Sequence, residues 1–405
     1  MESNYCVLPF KSFSINPSGE IRVCCNNGHV PAPYPTLAES DEVLNTDFMQ
    51  KIRTQFINNE KPTICDRCWK QEEANARSFR YLANNDYNFG IKDGEIAKAT
   101  PRVSFEDIEY CDISIGNHCN LACRMCNPYS SSLVAKEIAD MNNKPEPKVI
   151  TPPKDDKKKI FEVLEKAVNL NTLYLLGGEP LITDLHEEIL DLLIDSGRSQ
   201  NVILRLSTNL QTNKLDKFTE KWSKFKSVEL QVSIDGCGDM YEYIRWPGKW
   251  SKLYDNLTHL IEAAKFSRKK IRPNIASTIQ NINCLNLLEL VKTCCVINRY
   301  PVGFYFIPVT SGIGIASEDL FITPKRILRE AYKIQEKLQH KVGGYIPLHD
   351  YERYLLSAIS REPTINEAKA FFSKYKEFDI RRKQNLFEVA PFMEEIADQF
   401  KIKKW

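Results

Sequence analysis

From Tyr110 onward, apolar positions fall in short β-rich runs separated by longer stretches of helical period. The pattern predicts strands over residues 110–115, 172–176, 201–206, 228–233, 271–277 and 302–307. Helices are predicted between and after them, at about 131–141, 156–168, 184–196, 214–222, 251–266 and 285–297. Alternation of this kind builds a parallel sheet covered by outer helices, an α/β fold. Ahead of it, the alternation in Phe13-Ser14-Ile15-Asn16, the turn Pro17-Ser18-Gly19-Glu20 and the return Ile21-Arg22-Val23-Cys24 predict a hairpin, followed by a helix from Asp47 to Asn58. Behind it the pattern is helical: Thr323-Pro324 reads as an N-cap with Pro at the first helical position, opening a helix to about Lys341, and Tyr351–Ser360 and Ile365–Phe372 continue in kind. The chain therefore divides into a cysteine-rich module over 1–90, a polar linker over 91–109, the α/β segment over 110–310 and a helical extension over 311–405.

Composition narrows the class. With 42% hydrophobic residues in 405 the chain builds real cores, and a formal net charge of +2 leaves no bulk field to recruit nucleic acid or an anionic membrane. The N-terminal run Met1-Glu2-Ser3-Asn4-Tyr5-Cys6 lacks the basic and apolar parts of a signal peptide, and no apolar stretch approaches spanning length, so the expectation is a cytoplasmic protein without a membrane partner. In that compartment thiols stay reduced, and thirteen cysteines point to metal rather than to a disulfide framework.

The cysteines fall in two arrays. Cys119, Cys123 and Cys126 form C-x3-C-x2-C on a loop between the strand ending at Ile115 and the helix starting near Ser131. A structural zinc site closes with four ligands, whereas a cubane iron–sulfur cluster held by three protein sulfurs keeps one iron open. A zinc loop using His118 as fourth ligand is the competing reading. His118 and Cys119 are neighbours, however, and neighbours on an extended chain point apart. In the second array Cys6, Cys24, Cys65 and Cys68 are spaced C-x17-C-x40-C-x2-C, a set that closes a tetrahedral site for zinc or an iron–sulfur cluster. Cys25, beside Cys24, is the ambiguous ligand.

The C-x3-C-x2-C array in its strand–loop–helix setting resembles the radical SAM superfamily, with Met125 standing where many members carry an aromatic residue. The resemblance implies a partial (β/α)6 TIM-type barrel, and a [4Fe-4S] cluster on Cys119, Cys123 and Cys126 that binds S-adenosylmethionine (SAM). The N-terminal C-x12-G-x4-C hairpin followed by C-x2-C looks like the twitch module, the shortened relative of the SPASM domain. That likeness implies an auxiliary [4Fe-4S] cluster on Cys6, Cys24, Cys65 and Cys68, here ahead of the barrel rather than behind it.

Ligands of parallel α/β folds gather at the carboxyl ends of strands. The second barrel strand exits through Gly177-Gly178-Glu179-Pro180, which resembles the motif that holds the SAM amino group. The third and fourth exits supply Ser207, Asn209 and Ser233, which the resemblance makes candidates for the ribose and carboxylate. Asp235, Cys237 and Asp239 follow, then Arg245, whose guanidinium suits a carboxylate clamp; Thr278 and Asn281 are adenosine-side candidates. The resemblance implies reductive cleavage of SAM to a 5′-deoxyadenosyl radical that abstracts hydrogen from a peptide or small-molecule substrate, with an electron from a reductase such as flavodoxin or ferredoxin. A non-catalytic iron–sulfur or zinc-binding protein would account for the cysteines but not for Gly177–Pro180 or the polar strand exits.

Overall fold

All four side chains of Ser12–Ile15 and all five of Tyr110–Ser114 are buried, the pattern of strands covered on both faces. These two segments, β1 and β3, pair in parallel with Ser12 opposite Tyr110 and Ile15 opposite Ile113, while β2 (Ile21–Arg22) folds back antiparallel on β1. The remaining strands are β4 (Thr172–Leu176), β5 (Ile203–Thr208), β6 (Ser227–Ser233), β7 (Ile271–Ile279) and β8 (Gly303–Pro308). They stand in the order β2-β1-β3-β4-β5-β6-β7-β8, and the pairs β3–β4, β4–β5 and β7–β8 are parallel. The computed structural model describes residues 4–26, 34–73, 77–85, 99–267, 270–297, 303–308, 322–342 and 348–405. Residues 91–98 of the expected linker, 302 of the expected last strand and 311–321 of the expected extension lie outside them.

Helices in the N-terminal third are α1 (Leu8–Lys11), α2 (Asp47–Ile57), α3 (Asp66–Glu73) and α4 (Phe79–Asn85). Alternating with the strands come α5 (Ser132–Met141), α6 (Lys154–Lys166), α7 (Asp184–Asp195), α8 (Leu215–Trp222), α9 (Gly238–Ile244), α10 (Trp250–Phe266) and α11 (Cys284–Ile297). The last five are α12 (Lys325–Val342), α13 (Leu348–Ile359), α14 (Ile365–Arg382), α15 (Leu386–Val389) and α16 (Met393–Gln399). This is the α/β fold with a parallel sheet and outer helices that the pattern predicts. The helix α9 was not expected: its seven residues begin at Gly238, straight after the strand exit, and offer too short a period to read. Among the described residues no helix is long and apolar enough to cross a membrane.

Two units emerge from the contacts, one of residues 1–118, 148–206 and 220–228, the other of residues 119–147, 207–219 and 229–405. In the first, Thr46 caps α2 by accepting a hydrogen bond from Met49 N, and α2 delivers Arg53 into the interior with no exposed surface. Burial lowers its pKa to about 10, and carbonyl oxygens compensate: Nε donates to Pro9 O (2.6 Å), Nη2 to Leu44 O (2.8 Å), and Nη1 to Pro101 O (3.0 Å) and Asn45 Oδ1 (3.2 Å). One side chain thus ties residue 9 to 44–45 and 101, segments that share no secondary structure. In the second unit, Thr364 and Glu367 form a capping box at the start of α14, whose Phe371, Phe372 and Tyr375 pack with Met240, Tyr243, Leu386, Phe387 and Met393.

Replacing Arg53 leaves several buried acceptors without a donor, each worth roughly 1–3 kcal/mol. Arg53→Met is expected to lower unfolding free energy by about 3 kcal/mol, read as an earlier urea midpoint at unchanged slope; a change below about 0.5 kcal/mol would show the carbonyls need no such tie.

Candidate metal centres

In the first unit the exit of β4 lies against the exit of β3. Gly178 N donates to Gly116 O (3.0 Å) and Glu179 N to His118 O (2.9 Å). A Cβ on Gly178 would stand 2.2 Å from His118 O, so only glycine permits this approach, and Gly177 holds φ +133°, a conformation side chains rarely adopt. Glu179 is buried and its Oε1 accepts Leu181 N at 3.0 Å. The turn is pinned from α7, where His186 Nδ1–H donates to Pro180 O at 2.9 Å. Burial drives the His186 pKa down to about 4, so the ring is neutral. His118, whose carbonyl receives Glu179, is the residue directly before Cys119; its side chain is exposed whereas Cys119 is buried.

The second unit carries the C-x3-C-x2-C loop. Cys119 and Cys123 are buried and pack with Leu121, Met125 and Cys126. Ser131, the N-cap of α5, accepts Val134 N and donates to Leu121 O (2.7 Å), and Ser132 Oγ accepts Cys119 N (3.3 Å), so the start of the helix fixes the loop. On its other side the loop runs along the end of α9 and the chain after it: Ala122 N donates to Trp246 O (2.7 Å) and Arg124 N to Ile244 O (2.9 Å). Burial raises the Cys123 thiol, with Arg245 opposing it, and burial followed by the Cys123 charge pushes Cys126 up to about 12. Metal binding at these thiols therefore displaces protons.

Two of the expected cofactor residues stand beside these cysteines. Asn209 Nδ2 is 3.9 Å from Cys119 Sγ and donates to Asn120 Oδ1 (2.9 Å), while its Oδ1 accepts Gln211 N. Arg245 Nη1 is 3.7 Å from Cys123 Sγ, and its Nε lies 2.7 Å from Asp235 Oδ2, close but not aligned as a hydrogen bond. Although burial pulls the guanidinium pKa down, the Asp235 charge more than compensates, so Arg245 remains a cation. Asp235 Oδ1 in turn accepts Thr278 N (2.7 Å), and its carbonyl accepts Asn283 Nδ2 (3.0 Å), joining the exits of β6 and β7. Ser207 is farther back, donating to Gln231 Oε1 at 3.2 Å, and Ser233 is the last residue of β6. Cys237 faces away from this group, its Sγ 3.8 Å from Thr293 Oγ1. At the exit of β7 the Gln280 and Asn281 side chains are wholly buried, and among the described residues none of their four amide atoms has a hydrogen-bond partner. Sequence reasoning named Asn281 and missed Gln280, whose only signal was its place at a strand end. It also missed Arg124 and Asp379, a buried ion pair that joins the loop to α14.

The other array lies in the first unit. Burial is the main cause of the raised pKa of Cys24, followed by the charges of Cys6 and Cys65, with Cys68 also contributing; Cys65 in turn feels Cys6 and Cys68. Cys6 is pushed up to about 12, again chiefly by burial. These four sulfurs are electrostatic neighbours. Cys25 turns elsewhere: its N–H donates to Asp112 Oδ2 at 3.0 Å and its thiol also bonds that carboxyl, which burial raises to about 7. Asn26 Nδ2 approaches Cys68 Sγ at 3.5 Å, a second-layer contact to the array. Among the described residues no group of three or more His, Cys, Asp or Glu side chains is arranged to hold a metal ion as the side chains stand.

Residues 113–272 match the model of the Radical SAM superfamily. Solved structures similar to the chain include native anSMEcpe with AdoMet and a peptide bound, at 16% identity and TM-score 0.40 over 58% of this chain and 62% of that one. Streptococcus suis SuiB bound to the precursor peptide SuiA is similar at 15% identity and TM-score 0.40, over 72% and 64% of the two chains. The radical S-adenosylmethionine methyltransferase TsrM of Kitasatospora setae, with cobalamin and a [4Fe-4S] cluster bound, is similar at 9% identity and TM-score 0.36, over 53% and 40%. The match spans 62% of the length of the first of these structures. No curated protein matches the sequence.

Two expectations follow from this geometry. Cys24→Ala should lose the metal bound by the N-terminal array after anaerobic loading, whereas Cys25→Ala should retain it; the reverse outcome in iron and zinc analysis would reassign the ligand. For His186, whose folded pKa lies below the unfolded value of 6.5, the neutral ring contributes stability above pH 6.5 that is lost as pH falls toward about 4. Unfolding free energy should decline across that window by up to roughly 3 kcal/mol, and His186→Gln should flatten the decline; an unchanged pH profile in the variant would remove His186 as its source.

Proposed function

We propose, from the match of residues 113–272 to the Radical SAM superfamily model, that the chain is an enzyme that reductively cleaves SAM and abstracts a hydrogen atom from a peptide substrate, the reaction being assisted by an auxiliary cluster. The observation that carries this reading is the C-x3-C-x2-C loop: three thiols, and a cationic Arg245 3.7 Å from one of them. The donor set fits a cluster with an open iron, because three sulfurs supply three of its corners. The orphaned amides of Gln280 and Asn281 fit a ligand with its own donors and acceptors, since buried polar atoms left unpaired cost free energy that a bound partner recovers.

When bound, the [4Fe-4S] cluster supplies the electron that breaks the carbon–sulfur bond of SAM, giving methionine and a 5′-deoxyadenosyl radical. Cys119, Cys123 and Cys126 would hold that cluster. The resemblance gives Gly177, Gly178 and Glu179 the role of receiving the SAM amino group; within the second unit Arg245, whose charge is kept by Asp235, would clamp a carboxylate. Asn209, already fixed by Asn120 and Gln211, would orient the ribose with Ser207 and Ser233. The buried surroundings of Cys119 and Cys123 exclude water from the reacting region. Cys6, Cys24, Cys65 and Cys68 would hold an auxiliary [4Fe-4S] cluster, the twitch-like likeness of their spacing being its support. A flavodoxin- or ferredoxin-type reductase would deliver the electron.

Anaerobic reconstitution of the full chain should give about eight iron and eight sulfide per chain, two cubanes. Addition of SAM and dithionite should then release 5′-deoxyadenosine, and Cys123→Ala should abolish it. No 5′-deoxyadenosine despite full iron occupancy would sink the reading, as would stoichiometric zinc with little iron.

A further inference from the structure

Resting on the reading of Cys119, Cys123 and Cys126 as cluster ligands, we propose that Arg124 and Asp379 are a positioning pair through which the C-terminal helical extension grips the cysteine loop and sets the charge felt there. Arg124 lies inside the array, directly after Cys123 and two residues before Cys126, and it has no exposed surface. Its polar groups are held except for Nη1, which has no partner among the described residues. Its N–H donates to Ile244 O, its carbonyl accepts Lys374 Nζ at 3.3 Å, and Nε donates to Tyr243 O at 3.0 Å. Nη2 donates to Asp379 Oδ1 (2.6 Å) and Gln384 Oε1 (3.0 Å), while the guanidinium lies 3.7 Å from the Tyr243 ring centroid and 5.0 Å from that of Tyr375. Lys374, Tyr375, Asp379 and Gln384 all belong to α14 or the turn after it.

Asp379 gathers the rest of the extension to the same point. Oδ1 also accepts Tyr243 Oη–H (2.9 Å), and Oδ2 accepts Leu386 N (2.7 Å) and Trp405 Nε1 (3.0 Å). A second tie runs from α14 to the helix behind the loop, where Arg382 meets Glu137 through two parallel hydrogen bonds of 2.8 and 2.5 Å. The peptide units joining Cys123 to Cys126 therefore cannot shift without breaking contacts to a segment 255 positions away. The pair is close to neutral as a unit, and loss of one member leaves the other's charge bare in a buried place, where it acts strongly on a neighbouring redox centre.

A merely structural ion pair and a positioning pair differ in what their variants do to the cluster. With the full chain reconstituted in iron and sulfide, the reduction potential is read from the EPR signal that SAM perturbs. Asp379→Asn, which bares a cation, should raise that potential; Arg124→Gln, which bares an anion, should lower it; Arg124→Lys should stay nearest the parent. Iron retention against a chelator should weaken on the order of tenfold in the two neutral variants while far-UV circular dichroism remains native. Full iron with the parent's potential in both, or shifts of the same sign, would overturn the proposal. Should a neutral variant not fold, Asp379→Glu carries the same test: an altered EPR line shape at unchanged charge supports it and an identical one overturns it. A parent chain that binds no iron would instead overturn the function proposed above, so the two failures are distinguishable.

Discussion

A guanidinium taken out of water must find a partner for its charge and for its hydrogen-bond donors, and Arg124 meets most of that demand from two directions, with Nη1 alone of its nitrogens left without a partner among the described residues. Carbonyls from the last two residues of α9 take its Nε and its backbone N–H, while Asp379 and Gln384 take the end of the side chain. Aromatic rings supply most of the remaining surface, with Tyr243 close against one face. The geometry of the whole cysteine loop follows from this, because two of its three sulfurs are on residues at or near the anchored position. The core of Phe371, Phe372, Tyr375, Phe387 and Met393 then packs around an ion pair that has no slack.

The exits of β3 and β4 obey a second constraint, that of backbone meeting backbone. Glycine at 177 and 178 is required by carbonyl oxygens of residues 116 and 118, which leave no space for a Cβ. That crowding holds the turn before Pro180 against the residue preceding Cys119, with His186 closing it from below. Where the first unit uses shape, the second uses charge: Arg245 and Asp235 sit at the exit of β6, and Asp235 also receives the β7 backbone. Each strand end is thus fixed by something other than the sheet itself.

The sequence made the strands legible where an apolar run ends on a breaker. Thr172–Leu176 is bounded by Asn171 and Gly177, and it forms as read. Where polar residues belong to the strand the reading shifts: Ser207 and Thr208 look like an exit but complete β5, which runs over 203–208 rather than 201–206. The two cysteine arrays were legible from spacing, whereas the different surroundings of Cys24 and Cys25 appear only in the folded chain. Arg124 carried a faint signal, a charge between apolar and cysteine neighbours. Asp379 carried none, since nothing local in an amphipathic helix marks which acid is to be buried.

The pairing of β1 with β3 bears on how the chain comes together. Parallel neighbours need a crossover, and this one encloses nearly the entire cysteine-rich N-terminal region between Ser12 and Tyr110. Closing so long a loop costs entropy before any ladder contact repays it, so β1 is a late arrival in a sheet whose other rungs are nearer in sequence. During synthesis β1 must therefore wait for a strand made about a hundred residues later.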